Sequence, residues 1–130
     1  MAFERSSAMK TVLIVDDEYL IADILSFALE EEGFLPVTAA SALRALDILE
    51  RERPDLIITD FMMPGMTGVE FAEKVKSTPG FERTPMMLMS GAQAHLGIAR
   101  PDLFTAVFLK PFDTPAVVRQ IRLALDSKRP

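Results

Sequence analysis

Val12-Leu13-Ile14-Val15-Asp16-Asp17-Glu18 sets four consecutive apolar residues directly against three carboxylates. The apolar part shows no alternation with polar residues, which is the pattern of a strand covered on both faces. Three further runs share it: Leu56-Ile57-Ile58, Met86-Met87-Leu88-Met89 and Ala106-Val107-Phe108-Leu109. Leu35 to Ala39 is a weaker run, and Pro36 within it suits an edge strand, where a missing N–H is tolerated.

Between these runs the period changes. Ile21, Ile24, Leu25 and Ala28 fall at i, i+3, i+4 and i+7, as do Ala42, Ala45, Leu46 and Leu49. Gly33 is placed to end the first of these helices, and Ser41 to cap the second. A third helix is expected from about Gly68 to Ser77, burying Ala72 and Val75. The last is expected to have Thr114 as its cap and Pro115 at its first position, with Val118, Ile121 and Leu125 inward. Gln93 to Ala99 has room for about two turns, but Gly97 and Pro101 limit it, so a short or mobile fourth helix is expected.

Five strands alternating with helices predict an α/β domain: a doubly wound parallel sheet with right-handed crossovers and helices on both faces. In such sheets the chemistry lies beyond the carboxyl ends of the strands. The chain of 130 residues is the right length for one domain, and its 49% hydrophobic and 25% charged residues suit a packed core under a hydrated surface. The expected division is a flexible extension at 1–9, the domain at 10–127 and a tail at 128–130. A net charge of −5 with scattered Lys and Arg argues against a nucleic-acid surface. The absence of cysteine excludes disulfides, zinc–thiolate sites and thiol nucleophiles. No apolar run is long enough to span a membrane. A cytoplasmic setting is the expectation.

The strand ends carry the candidate chemistry. The first runs into Asp16-Asp17-Glu18, the third ends at Asp60, the fourth at Ser90-Gly91 and the fifth at Lys110-Pro111. Singly, each has an ordinary explanation: a helix cap, a turn, a solvated charge. Together, converging carboxylates repel one another and call for a cation, and an all-oxygen donor set selects a hard ion such as Mg²⁺. A nearby ammonium and hydroxyl then supply donors for an anion. Carboxylate nucleophile, metal, ammonium and hydroxyl make up the requirements of phosphoryl transfer.

These motifs resemble those of the receiver domain of bacterial two-component response regulators: Val15-Asp16-Asp17-Glu18, Asp60-Phe61-Met62-Met63-Pro64 with Gly68, Ser90-Gly91-Ala92, and Lys110-Pro111-Phe112. They occur in family order and cover about Lys10 to Asp126. The resemblance implies a flavodoxin-like sheet of order 2-1-3-4-5, an order the chemotaxis member shares as a standard example of the fold. It implies Asp60 as phosphoacceptor, and Mg²⁺ (with Mn²⁺ as a substitute) held by Asp16, Asp17, Asp60 and the backbone carbonyl of Met62. Ser90 and Lys110 would contact the phosphoryl group, and the Lys110–Pro111 peptide would be cis. The side chains of Met62 and Ala92 occupy positions that tune hydrolysis of the acyl phosphate. Both are apolar, so a slowly decaying phosphorylated state is expected. The implied partners are a histidine kinase or a histidine phosphotransfer protein, an unknown downstream protein target, and a second copy if phosphorylation drives dimerisation.

Two features depart from the family. An aromatic is usual three residues before the Lys, and here that position is Val107. Phe108 lies one place later and so faces the other side of the strand. The interval from Ser90 to Lys110 is also short, which predicts that output relies on ordering residues 92–105 more than on an aromatic flip. The protein is expected to be a regulator and not an enzyme. Alternatives are a Mg²⁺-dependent phosphatase with an aspartyl nucleophile, whose Asp-x-Asp pattern is missing here, and an interaction domain independent of phosphorylation. A flavin site is disfavoured, because the carboxylates would repel its phosphate. His95 is read as solvent-facing, the methionines as core filling, and Arg119 and Arg122 as one solvated helix face.

Overall fold

The computed structural model describes residues 9–126. Apart from Met9, the expected extension and tail lie outside the described residues, as does the end of the expected domain at 127. The strands are β1 (Thr11–Val15), β2 (Leu35–Ala39), β3 (Leu56–Asp60), β4 (Met86–Ser90) and β5 (Ala106–Leu109). The helices are α1 (Tyr19–Glu31), α2 (Ala42–Glu52), α3 (Gly68–Lys76), α4 (Ala94–Ile98) and α5 (Thr114–Asp126). All strand pairs are parallel, in the order β2-β1-β3-β4-β5.

Successive strand residues point to opposite faces, so each apolar run feeds two cores. Leu13, Val15, Ile57, Met86 and Leu88 pack with α2 and α3. Val12, Ile14, Leu56, Ile58, Met87 and Met89 pack with α1 and α5. Every residue of β3 and β4 is buried, whereas the edge strand β2, with Pro36, has only Ala39 buried. The methionines of β4 are core residues, as expected.

Local chemistry fixes the helix ends. Ser41 accepts the Arg44 N–H, and Thr67 forms a reciprocal capping box with Glu70. Gly33, at φ 90°, ends α1 by donating to Glu30, while the Phe34 N–H reaches back to Leu29. Two expectations are corrected. Thr114 is the first residue of α5 instead of its cap, and the carbonyl of Asp113 accepts the Val117 N–H. The inward face of α1 is Ala22, Leu25 and Leu29, with Ile24 56% exposed. This helix is apolar almost all round, since Tyr19, Leu20 and Phe27 are also exposed. Periodicity alone therefore could not select the face that meets the sheet.

The fourth helix is short, at five residues. Gly97 lets it lie close on the sheet: a Cβ there would stand 2.4 Å from Leu88 Cδ2 and 3.3 Å from Val107 Cγ2. Val107 belongs to this side of the sheet and Phe108 to the other. Among the described residues, no helix is long and apolar enough to cross a membrane.

Candidate functional site

The parallel sheet brings the carboxyl ends of β1, β3, β4 and β5 to one edge. At the end of β1 the chain turns sharply. The Asp16 N–H donates to Ala39 at 3.1 Å, and Asp16 Oδ1 accepts the Glu18 N–H at 2.9 Å. That bond locks the Asp16 side chain, which is 2% exposed, and starts α1. Asp17 stays exposed.

At the end of β3, Asp60 is 5% exposed. The buried Thr59 hydroxyl donates to the Asp60 carbonyl at 3.0 Å, and the Phe61 N–H donates to Met89 at 2.9 Å. The loop closes when the Gly68 N–H reaches Phe61 at 2.8 Å. Only glycine permits this closure, because a Cβ at 68 would lie 2.5 Å from the Asp60 carbonyl oxygen. Lys110 follows β5, with its N–H on the Ser90 carbonyl at 2.9 Å and a cis peptide to Pro111.

Carboxylate oxygens of Asp16, Asp17 and Asp60 all lie within 4.8 Å of one another. Lys110 Nζ stands 3.0 Å from Asp60, 3.3 Å from Glu18 and 3.6 Å from Asp16. Burial pushes the Asp16 carboxyl up to about 6, opposed by its bond from the Glu18 N–H and reinforced by the charge of Asp60. Burial also raises Asp60, against the hydrogen bond and charge of Lys110. For Lys110, burial favours the neutral amine. The hydrogen bond to Asp60 and the neighbouring negative charges outweigh it and hold the ammonium above its ordinary value.

Two buried oxygens at this edge, Asp16 Oδ2 and Ser90 Oγ, have no hydrogen-bond partner among the described residues. Buried polar atoms are normally paired. An all-oxygen cluster with a free carboxylate oxygen suits a hard divalent cation, and a free hydroxyl suits an arriving acceptor.

The structure thus brings together Asp16, Asp17, Asp60 and Lys110, with Ser90 on the adjoining strand end. Met62, 60% exposed, and Ala92, also exposed, sit in the loops after β3 and β4. His95 is exposed. Arg122 is engaged with Glu32 and the Phe34 ring, so it is not simply solvated. The sequence alone gave Glu18 no role. No local pattern signals it, because its partner Lys110 lies 92 residues along the chain.

Residues 12–122 match the response regulator receiver domain, and the chain belongs to that family, the receivers of two-component signalling. It is 33% identical over 117 residues to sporulation initiation phosphotransferase F of Bacillus subtilis, covering 90% of this chain and 94% of that protein. It is 34% identical over 122 residues to a probable transcriptional regulatory protein, TcrX, of Mycobacterium tuberculosis, covering 88% of this chain and 49% of that protein. Among solved structures, the chemotaxis response regulator CheY4 of Vibrio cholerae superimposes with a TM-score of 0.82 at 29% identity, covering 91% of this chain and all of that one (100%).

Proposed function

We propose that this receiver accepts a phosphoryl group on Asp60 from a phosphohistidine of a kinase or phosphotransfer protein, and acts as a regulator without substrate turnover. The observation that carries this reading is Lys110 Nζ at 3.0 Å from an Asp60 carboxylate that shares a cluster with Asp16 and Asp17. Mg²⁺, held by those three carboxylates and the Met62 backbone carbonyl, supplies positive charge against the phosphoryl oxygens when bound. An Asp60 oxygen attacks phosphorus, the P–N bond breaks, and its electron pair returns to the imidazole nitrogen. Lys110 neutralises charge on a phosphoryl oxygen, and the free Ser90 hydroxyl donates to another. That donation draws the end of β4, and with it α4, toward the acceptor.

The donor has an apolar landing surface. Tyr19, Leu20, Ile24 and Phe27 are exposed along α1. A cleft of about 420 Å³ beside Lys110 is lined by Ile21, Ile24, Pro111 and Phe112. Exposed apolar side chains grouped on one helix beside a cleft suit contact with a protein.

Incubation with Mg²⁺ and acetyl phosphate, followed by intact-mass analysis, is expected to show one added phosphoryl group. Asp60→Asn should abolish it while leaving the far-UV circular dichroism unchanged. Uptake that persists in the variant, or is indifferent to chelator, would overturn the proposal, and steady turnover of a phosphomonoester would reassign the domain as a phosphatase.

A further inference from the structure

Glu18 opens α1 yet makes no side-chain cap. Negative charge at a helix start is favoured by the helix dipole, but the long Glu side chain is not a preferred cap and is left to find another partner. Here it reaches 92 residues along the chain to Lys110, with Oε1 3.3 Å from Nζ. Lys110 consequently faces three carboxylates: Asp60 Oδ1 at 3.0 Å and Glu18 Oε1 at 3.3 Å are within hydrogen-bond reach, and Asp16 Oδ2 at 3.6 Å is an ionic neighbour.

An arriving phosphoryl oxygen competes with these carboxylates for the ammonium, and the one held least gives way. Asp16 cannot swing out, because its side chain is fully buried and its Oδ1 is held by the Glu18 N–H. Asp60 is the group being modified. The Glu18 side chain is 62% exposed, so it returns to water at small cost.

Building on the phosphoacceptor reading, we propose that Glu18 is a detachable counter-charge for Lys110, positioning the ammonium in the resting domain and leaving when the phosphoryl group arrives. It acts in two opposite senses. Its negative charge beside the acid cluster favours divalent cation binding, and the same charge and its hold on Lys110 disfavour the anion.

The test uses calorimetric titration of Mg²⁺ alone and then of beryllofluoride at saturating Mg²⁺, on wild type, Glu18→Gln and Glu18→Asp. Glu18→Gln should bind Mg²⁺ roughly three- to tenfold more weakly and beryllofluoride roughly three- to tenfold more tightly, as expected for one unit charge at this range in a partly solvated site. Glu18→Asp keeps the charge but loses a methylene of reach. It should stay near wild type for Mg²⁺ and follow Glu18→Gln for the anion. Backbone bonds of residue 18 are untouched in both variants, so helical content should not change.

Changes of the same sign for both ligands in Glu18→Gln would overturn the inference, since a general loosening of the site acts that way. So would Glu18→Asp matching wild type for the anion, which would show that charge matters and contact with Lys110 does not. If wild type itself takes up no beryllofluoride, the phosphoacceptor reading falls with it. If all three proteins bind it equally, only the role of Glu18 fails.

Discussion

Replacing Asp16 by Asn should stabilise the metal-free protein while disabling its site. Burial raises this carboxyl from an ordinary value of 3.8 to about 6. A group whose folded-state pKa lies above its unfolded value binds more protons when folded, so its ionisation destabilises the fold as pH rises between those values. A rise of that size corresponds to about 3 kcal/mol, a net figure that already contains the attraction to Lys110 at 3.6 Å. Asn retains the bond from the Glu18 N–H through Oδ1 and removes the charge. The expected gain is about 1–3 kcal/mol in chelator near neutral pH, or roughly 3–10 °C in Tm. The advantage should be complete above a pH of about 6 and fade as pH falls toward 3.8. With no Trp in the chain, urea unfolding is followed by far-UV circular dichroism. Mg²⁺ should stabilise wild type and have little effect on the variant. A variant no more stable than wild type in chelator, or a gain undiminished in acid, would refute the reasoning.

Gly97→Ala should destabilise the domain by about 1–3 kcal/mol through the contact with Leu88 on the underside of α4, measured by urea unfolding. Ser41→Ala removes the cap on the Arg44 N–H and should lower stability by about 1 kcal/mol in the same assay. Met62→Asn places a polar group two residues from the acceptor and should hasten loss of phosphate from Asp60, followed by intact-mass analysis over time. Hydrogen exchange of residues 92–105 should slow on adding beryllofluoride with Mg²⁺; unchanged protection would count against output through α4.

The run at Val12–Glu18 and its counterparts placed β1, β3 and β4, because a strand buried on both faces needs continuous apolar sequence, while the edge strands β2 and β5 followed from weaker apolar runs, with Pro36 marking β2 as an edge. The acceptor cluster was legible for a related reason: Asp16, Asp17, Asp60 and Lys110 each follow such a run, and a parallel sheet presents all its carboxyl ends on one edge. Ser41, Gly33 and the brevity of α4 were equally local matters of capping, backbone freedom and glycine content. The face of α1 was not local. Its apolar residues nearly encircle the helix, and only the approach of α5 and the sheet decided that Leu25 is covered and Ile24 left open. The pairing of Glu18 with Lys110 was hidden likewise, since no pattern within a helix start announces a partner 92 positions away. Burial raised Asp16 and Asp60 for the same reason, because desolvation depends on what the rest of the chain stacks around a carboxyl group. Short-range periodicity and turn chemistry are written residue by residue, whereas solvent exclusion and long-range charge pairing exist only once the chain has closed on itself.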